Sequence, residues 1–218
     1  MVEIIKDLID LFLHLDKHLT AIISQYGAFT HVILFIIVFC ETGLVVTPFL
    51  PGDSLLFAAG VFAANGSLDI TILLVSLTIA AVVGDSVNYK LGQVFGEHAR
   101  FINRKHIERT HEFYERYGPS TIIIARFVPI VRTFAPFVAG VGQMSYGKFL
   151  TYNIAGGVLW VFLLTLGGYF FANVPIVKDN FSIVVVAIII ISVLPAVFEF
   201  GRVWLNRRKA TESGPPVE

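Results

Sequence analysis

The chain combines long apolar segments with short apolar arms that are interrupted by proline and glycine. Residues 148–175 and 181–203 reach the length of about 20 apolar residues that a transmembrane helix needs. Residues 69–95 are apolar as far as Gly84 and polar on one face beyond it, and we expect a third transmembrane helix there. Residues 1–24 repeat apolar positions at helical spacing among acidic ones, which predicts an amphipathic helix at the membrane surface or along the bundle.

Two regions, residues 28–64 and 118–144, each consist of two short arms around a break. The first region is broken at Pro48, Pro51 and Gly52, and the second is broken at Pro129, with Pro136 further along in its second arm. Proline interrupts a helix, and such arms are too short to cross a membrane, so both regions predict re-entrant helical hairpins. The tripeptide Ala-Gly-Val at residues 59–61 recurs 80 residues later, at 139–141, which favours an internal duplication.

The predicted fold is therefore an all-α integral membrane protein made of two pseudo-repeated halves. Each half has a re-entrant hairpin followed by transmembrane helices, and together they form one membrane domain over residues 25–205. Composition agrees, because the 218 residues are 56% hydrophobic and 15% charged, whereas soluble proteins carry about 25% charge. The single cysteine excludes an internal disulfide and a Cys-rich zinc site, and the zero net charge gives no reason to expect nucleic-acid binding.

Basic residues are concentrated in the linker at 97–116 and in the tail at 206–218. Lysine and arginine mark the cytoplasmic side of a membrane protein, so we expect the linker and the C-terminus to be cytoplasmic. The side of the N-terminus depends on whether the first helix crosses. A homo-oligomer is compatible with this pattern.

The two breaks also carry charges, which are costly at membrane depth. Glu41 and Asp53 flank the first break. A carboxyl group taken out of water favours its neutral form and a nearby cation favours the ionised form, so these acids are candidates for proton coupling. The alternative for either acid is that it caps a half-helix, and Asp53 is well placed for that.

Arg126 and Arg132 lie on either side of Pro129 in the second break. Arginine presents a planar fork that binds phosphate through paired hydrogen bonds and keeps its charge, so both arginines are candidates for substrate binding. The alternative is neutralisation, in which the two arginines pair with Glu41 and Asp53 and serve only the fold.

A polar stripe on the 69–95 segment supports this site. Asp85, Asn88 and Tyr89 share one helical face, with polar packing between helices as the alternative role. Asn153, Gly156, Gly157 and Trp160 repeat the spacing on a later segment. Glycine-rich phosphate loops and His-Glu-x-x-His metal motifs are absent, so we expect no cofactor, no metal and no enzymatic activity.

Three long motifs resemble the bacterial DedA family. They read FCETGLVVTPFLPGDSLL at 39–56, GDSVNY at 84–89 and ARFVPIVRTFAPFVAG at 125–140. The resemblance covers nearly the whole chain. It implies an inner-membrane protein with two facing re-entrant hairpins, related to eukaryotic lipid scramblases. It further implies roles in returning undecaprenyl phosphate across the membrane and in membrane homeostasis that depends on the proton motive force. The functional acids and arginines of the family fall on Glu41, Asp53, Arg126 and Arg132.

The sequence thus predicts a transporter, or flippase, that moves a phosphate-bearing lipid between leaflets. Its expected partners are membrane lipids and protons. One alternative is a proton-coupled exporter of small cations or drugs, which would bind them through the acids. The other is a membrane scaffold in which the charges serve only folding.

Overall fold

Every regular element in the described part of the chain is helical. The computed structural model describes residues 15–44, 52–98, 118, 120–175, 181 and 183–188. Its main helices are α1 (Leu15–Tyr26), α2 (Thr30–Gly43), α3 (Gly52–Ala64), α4 (Ile70–His98), α5 (Thr121–Ala125), α6 (Pro129–Val141) and α7 (Tyr146–Phe171), with a 3₁₀ turn at Gly27–Phe29. Residues 183–188 are also helical. The all-α prediction is confirmed for these residues.

Among the residues that the structure describes, three helical stretches are long and apolar enough to cross a membrane: Lys17–Gly43, Ile70–Phe95 and Tyr146–Phe171. A helix of 26 residues is about 39 Å long at 1.5 Å per residue, which exceeds the hydrocarbon core of about 30 Å. Large apolar side chains on these helices remain exposed, and on α4 they form a stripe at positions 72, 75, 79 and 83. Such a stripe suits contact with lipid chains.

The first of these stretches differs from the division expected from the sequence. We predicted an amphipathic helix at residues 1–24 and a separate short arm from residue 28. The structure instead joins α1 to α2 through the 3₁₀ turn at Gly27–Phe29. The join is possible because residues 18–40 contain no acid, lysine, arginine or proline, so nothing there interrupts an apolar helix.

The arms around the two breaks pack chiefly against the long helices. In the first region, α2 lies along α4 and α3 lies along α7. In the second region, α5 contacts α7 and α6 lies along α4. The long helices α4 and α7 therefore form a frame that brings both breaks together. Whether the regions 28–64 and 118–144 re-enter the membrane stays a prediction.

Four glycines allow the closest of these helix crossings. Gly60 and Gly168 lie where α3 meets α7, and Gly92 and Gly140 lie where α4 meets α6. A Cβ atom at any of the four would overlap a backbone carbonyl of the facing helix. The facing carbonyls belong to Thr165, Phe57, Phe137 and Tyr89, respectively. Gly60 and Gly140, the two matched glycines of the repeated tripeptide, thus lie at equivalent crossings.

Several sequence predictions fall outside the described residues. These are residues 1–14 of the predicted amphipathic helix, Pro48 and Pro51, the linker from residue 99 to 116, residues 189–203 of the predicted transmembrane segment at 181–203, and the tail at 206–218.

Candidate functional site

Arg132 joins three helix ends in one ion-pair cluster. It lies in the first turn of α6, which begins at Pro129. Its Nη1 donates to Asp53 Oδ1 at 2.5 Å, and its Nη2 donates to Glu41 Oε1. Asp53 is in the first turn of α3, and Glu41 is near the end of α2. The predicted acid pair and one predicted arginine therefore meet, although 79 and 91 residues separate them along the chain.

Arg126 has different partners. It lies between α5 and α6, and its Nη2 donates both to Asp85 Oδ2 and to Asn153 Oδ1, the latter at 2.5 Å. Its side chain is only 4% exposed. The hypothesis that both arginines neutralise Glu41 and Asp53 thus describes Arg132 but not Arg126. The reason is that α4 places Asp85 directly beside the turn that carries Arg126.

Trp160 connects the two ion-pair groups. Its indole Nε1 donates to Asp53 Oδ1 at 2.9 Å. The ring centroid lies 5.8 Å from Arg126 Cζ and 5.2 Å from Arg132 Cζ. These distances are within the range of a cation–π interaction. The ring therefore contacts both guanidinium groups while its N–H orients one of the acids.

Glycines make room for the buried charges. A Cβ atom at Gly52 would overlap the Glu41 carboxylate, so the start of α3 lies directly against that acid. On α7, Cβ atoms at Gly156 and Gly157 would lie 3.4 Å from Arg126 Nε and 3.6 Å from its Nη1. The small residues of α7 thus form a surface that the Arg126 guanidinium covers.

Asn88 and Tyr89 hold the helices around the site. The Asn88 amide donates to the carbonyl of Thr42 at 3.2 Å and to that of Thr133 at 2.8 Å. It thereby ties α4 to the ends of α2 and α6 that carry Glu41 and Arg132. The Tyr89 hydroxyl donates to the Met144 carbonyl. On the predicted polar stripe, Asp85 therefore pairs with Arg126, whereas Asn88 and Tyr89 serve helix packing.

Four of the charged side chains line a small cavity. Its walls include both arginines, Glu41, Asp85 and Trp160, and Pro136 also contributes. The free space holds about one water molecule. A phosphate group is larger than water, so it could bind between the arginines only after the ion pairs separate.

The cluster contains more acidic than basic side chains. Three carboxylates, those of Glu41, Asp53 and Asp85, face two guanidinium groups. With every group ionised, the cluster carries one net negative charge. The sequence prediction counted two acids against two arginines, and the structure adds Asp85. Among the described residues no group of three or more His, Cys, Asp or Glu side chains is arranged to hold a metal ion.

Asn153 and Trp160 belong to the site, but the sequence predicted no role for either of them. The spacing of residues 153, 156, 157 and 160 matched that of 85, 88, 89 and 92. That signal pointed to a shared polar face on α7, but it could not say which charges the face would meet.

Comparison with known proteins identifies the family. Residues 50–170, more than half of the chain, match the VTT domain. Protein DedA of Escherichia coli (strain K12) is 52% identical over 208 residues, which cover 92% of this chain and 95% of that protein. The chain belongs to the DedA family.

Two further relatives are membrane proteins by name. A membrane protein of Mycobacterium tuberculosis (strain H37Rv) is 44% identical over 190 residues, covering 84% of this chain and 83% of its own. The inner membrane protein YqjA of Escherichia coli (strain K12) is 36% identical over 150 residues, covering 66% and 68%. No solved structure matches this chain. The predicted DedA family membership is confirmed, and the chain is a DedA-family membrane protein.

Proposed function

We propose that this DedA-family protein is a transporter that moves a phosphate-bearing lipid between the leaflets of the bacterial inner membrane. Undecaprenyl phosphate and phospholipids are the candidate substrates, and envelope homeostasis is the process that the transport serves. The observation that carries the proposal is that Arg126 and Arg132 line one cavity and both lie within about 6 Å of the Trp160 ring centroid.

Two guanidinium groups around one cavity suit a phosphate head group. Each guanidinium can donate two parallel hydrogen bonds to phosphate oxygens, and neither loses its charge when buried among carboxylates. The exposed apolar faces of α4 and α7 leave room for the lipid tail to stay in the bilayer. Only the head group would then have to pass the polar site.

The acids provide a way to couple transport to protons. Glu41 and Asp53 occupy the guanidinium donors of Arg132 that a phosphate would use. Protonation of these acids weakens their hold on Arg132 and frees it for the lipid, and deprotonation restores the internal ion pairs. A proton gradient can therefore drive a cycle between a lipid-bound and a self-paired site.

The same proposal extends to topology. We take the two halves to be duplicates with facing re-entrant hairpins, because the matched glycines Gly60 and Gly140 make equivalent helix crossings. We further propose that the linker and the C-terminus are cytoplasmic, because both are rich in lysine and arginine.

One observation favours a second candidate function. The cluster carries one more carboxylate than guanidinium group, which suits a small cation or a cationic drug. A proton-coupled exporter of such cations would bind them through the acids and use the arginines as counter-ions. A scaffold without transport remains the third reading, and it requires that uncharged replacements of Glu41, Asp53, Arg126 and Arg132 be tolerated together.

Lipid flux in proteoliposomes separates these functions. We would measure inward and outward movement of undecaprenyl phosphate, phosphatidylethanolamine and a phosphate-free diacylglycerol, with and without an imposed pH gradient. The proposal expects flux of a phosphate lipid that the gradient accelerates, with the lipid recovered chemically unchanged. Gradient-driven efflux of ethidium without any lipid flux would establish the exporter instead. Absence of both activities in monodisperse protein would leave the scaffold.

A further inference from the structure

The two arginines are held in chemically different ways. Arg132 bonds two carboxylates. Arg126 bonds one carboxylate, that of Asp85, and the neutral amide of Asn153, and both acceptor oxygens meet the same Nη2 atom. Two oxygens on one guanidinium nitrogen, one of them charged, occupy the place that phosphate oxygens would take.

The acceptors of Arg126 are fixed to the helix frame. Asp85 lies one turn before Asn88, whose amide bonds the carbonyls of Thr42 and Thr133. Asn153 donates its own amide to the carbonyl of Val82 at 3.0 Å, so it too is anchored to α4. We call Asp85 and Asn153 the Arg126 cradle.

Arg126 itself lies outside the helices, on the turn that follows α5. Residues 126–128 form the turn between α5 and α6, whereas the cradle residues lie within long packed helices. A guanidinium on a turn can leave two fixed acceptors at a smaller conformational cost than the acceptors can leave it. The natural movement is therefore of Arg126 out of the cradle.

We propose that Asp85 is a positioning residue that competes with the lipid phosphate for Arg126, so that substrate binding requires Arg126 to leave the cradle. This inference rests on the proposed transport of a phosphate lipid. Asp85 then acts as a built-in occupant of the phosphate site, separate from the Glu41–Asp53 pair that holds Arg132. Its role is to balance the charge of the Arg126 guanidinium when no lipid is present and to displace the lipid phosphate at the end of the cycle.

Removing only the charge of Asp85 has an effect that a structural role would not produce. In Asp85→Asn the side chain keeps its size and an acceptor oxygen, but the competitor becomes neutral. The phosphate should bind about tenfold more tightly, because in the empty state Arg126 then donates to a neutral acceptor in place of a charged one. Release should slow in parallel. Apparent KM and kcat for transport therefore both fall, whereas a loosened fold would raise KM.

Trp160 offers a direct readout of binding, because its ring contacts both guanidinium groups. The chain has two tryptophans, so a Trp204→Phe background leaves Trp160 as the single tryptophan, which is excited selectively over the seven tyrosines. We would titrate the purified full chain in detergent with dihexanoyl phosphatidic acid, a phosphomonoester, and with dihexanoylglycerol as the phosphate-free control. Flux of phosphatidic acid in proteoliposomes gives KM and kcat for the same variants.

Two further variants serve as a control and as a test in the opposite direction. Asp69→Asn removes an exposed carboxylate that caps α4, and it should leave Kd unchanged. Asn153→Asp adds a second carboxylate to the cradle, so it should weaken phosphatidic acid binding at least fivefold, the opposite of Asp85→Asn. If Asp85→Asn fails to fold, this opposite shift decides the question.

The outcomes separate the two proposals. Tighter binding in Asp85→Asn with no lipid flux in any variant would overturn the proposed transport but support the cradle. Normal flux with the same Kd in wild type and Asp85→Asn would overturn the cradle and leave the transport proposal standing. Failure of phosphatidic acid to bind either form would overturn the cradle, and the flux of undecaprenyl phosphate would then decide the transport proposal.

Discussion

Adjacent glycines on α7 should respond in opposite directions to the same substitution. At Gly168, a Cβ atom would overlap the carbonyl of Phe57 on α3. At Gly167, the nearest atom to an added Cβ is Phe57 Cδ2 at 4.0 Å, which is an ordinary contact. The pair is a matched test of the α3–α7 crossing, because the two positions share a helix, a neighbour and a residue type.

The expected magnitudes follow from these contacts. Gly167→Ala gains about 1 kcal/mol of helix propensity without a steric cost. Gly168→Ala gains the same propensity, but it forces two packed helices apart at a cost of about 1–3 kcal/mol or more. The two variants should therefore differ in stability by roughly 1–3 kcal/mol or more. For a chain of this size that is a difference of roughly 2–12 °C in Tm.

The measurement is the loss of monodisperse protein on heating in detergent, followed by size-exclusion chromatography. Gly167→Ala should match or exceed the wild-type midpoint, and Gly168→Ala should fall below it. The same crossing brings Asp53 on α3 to Trp160 on α7, whose indole donates to it. Lipid flux should therefore fall in Gly168→Ala and not in Gly167→Ala. Equal midpoints for the two variants would refute the close crossing.

Two further substitutions test the surroundings of the charges. Asn88→Ala removes the donors to the carbonyls of Thr42 and Thr133, so we expect a loss of roughly 1–3 kcal/mol of stability and a lower midpoint in the same heating assay. An unchanged midpoint would contradict the role of Asn88 in joining α4 to α2 and α6. Gly52→Ala places a methyl group against the Glu41 carboxylate and should separate it from Arg132, so flux should drop at least tenfold in folded protein. Gly147→Ala, where an added Cβ meets no atom within 4 Å, is the control and should retain wild-type flux.

The sequence predicts the helical fold well, because a long apolar segment is a strong signal of a transmembrane helix. Residues 69–95 and 148–175 were expected as transmembrane helices, and the structure has apolar helices at Ile70–Phe95 and Tyr146–Phe171. The continuity of α1 and α2 was missed because the acids among the first sixteen residues suggested a surface helix that ended near residue 24. A charge near one end of a helix says little about where the other end lies.

The sequence predicts only part of the ion pairing. Charges that flank two breaks indicated that the breaks meet, and Arg132 does bond Glu41 and Asp53. The partner of Arg126 could not be inferred in the same way. Asp85 looked like one member of a packing stripe, and its neighbours Asn88 and Tyr89 do serve packing. Which member of a stripe faces a charge depends on helix rotation, which sequence spacing leaves undetermined.

The central claim is that Arg126 and Arg132 bind the lipid phosphate, and neutral replacements of these two arginines test it most directly. Arg126→Gln and Arg132→Gln keep hydrogen-bond donors but lose the charge, and Lys148→Ala removes an exposed cation as the control. Each purified, monodisperse variant would be assayed for gradient-driven undecaprenyl phosphate flux in proteoliposomes. We predict flux at the level of protein-free vesicles for both arginine variants and wild-type flux for Lys148→Ala. Wild-type flux in either folded arginine variant would contradict the account.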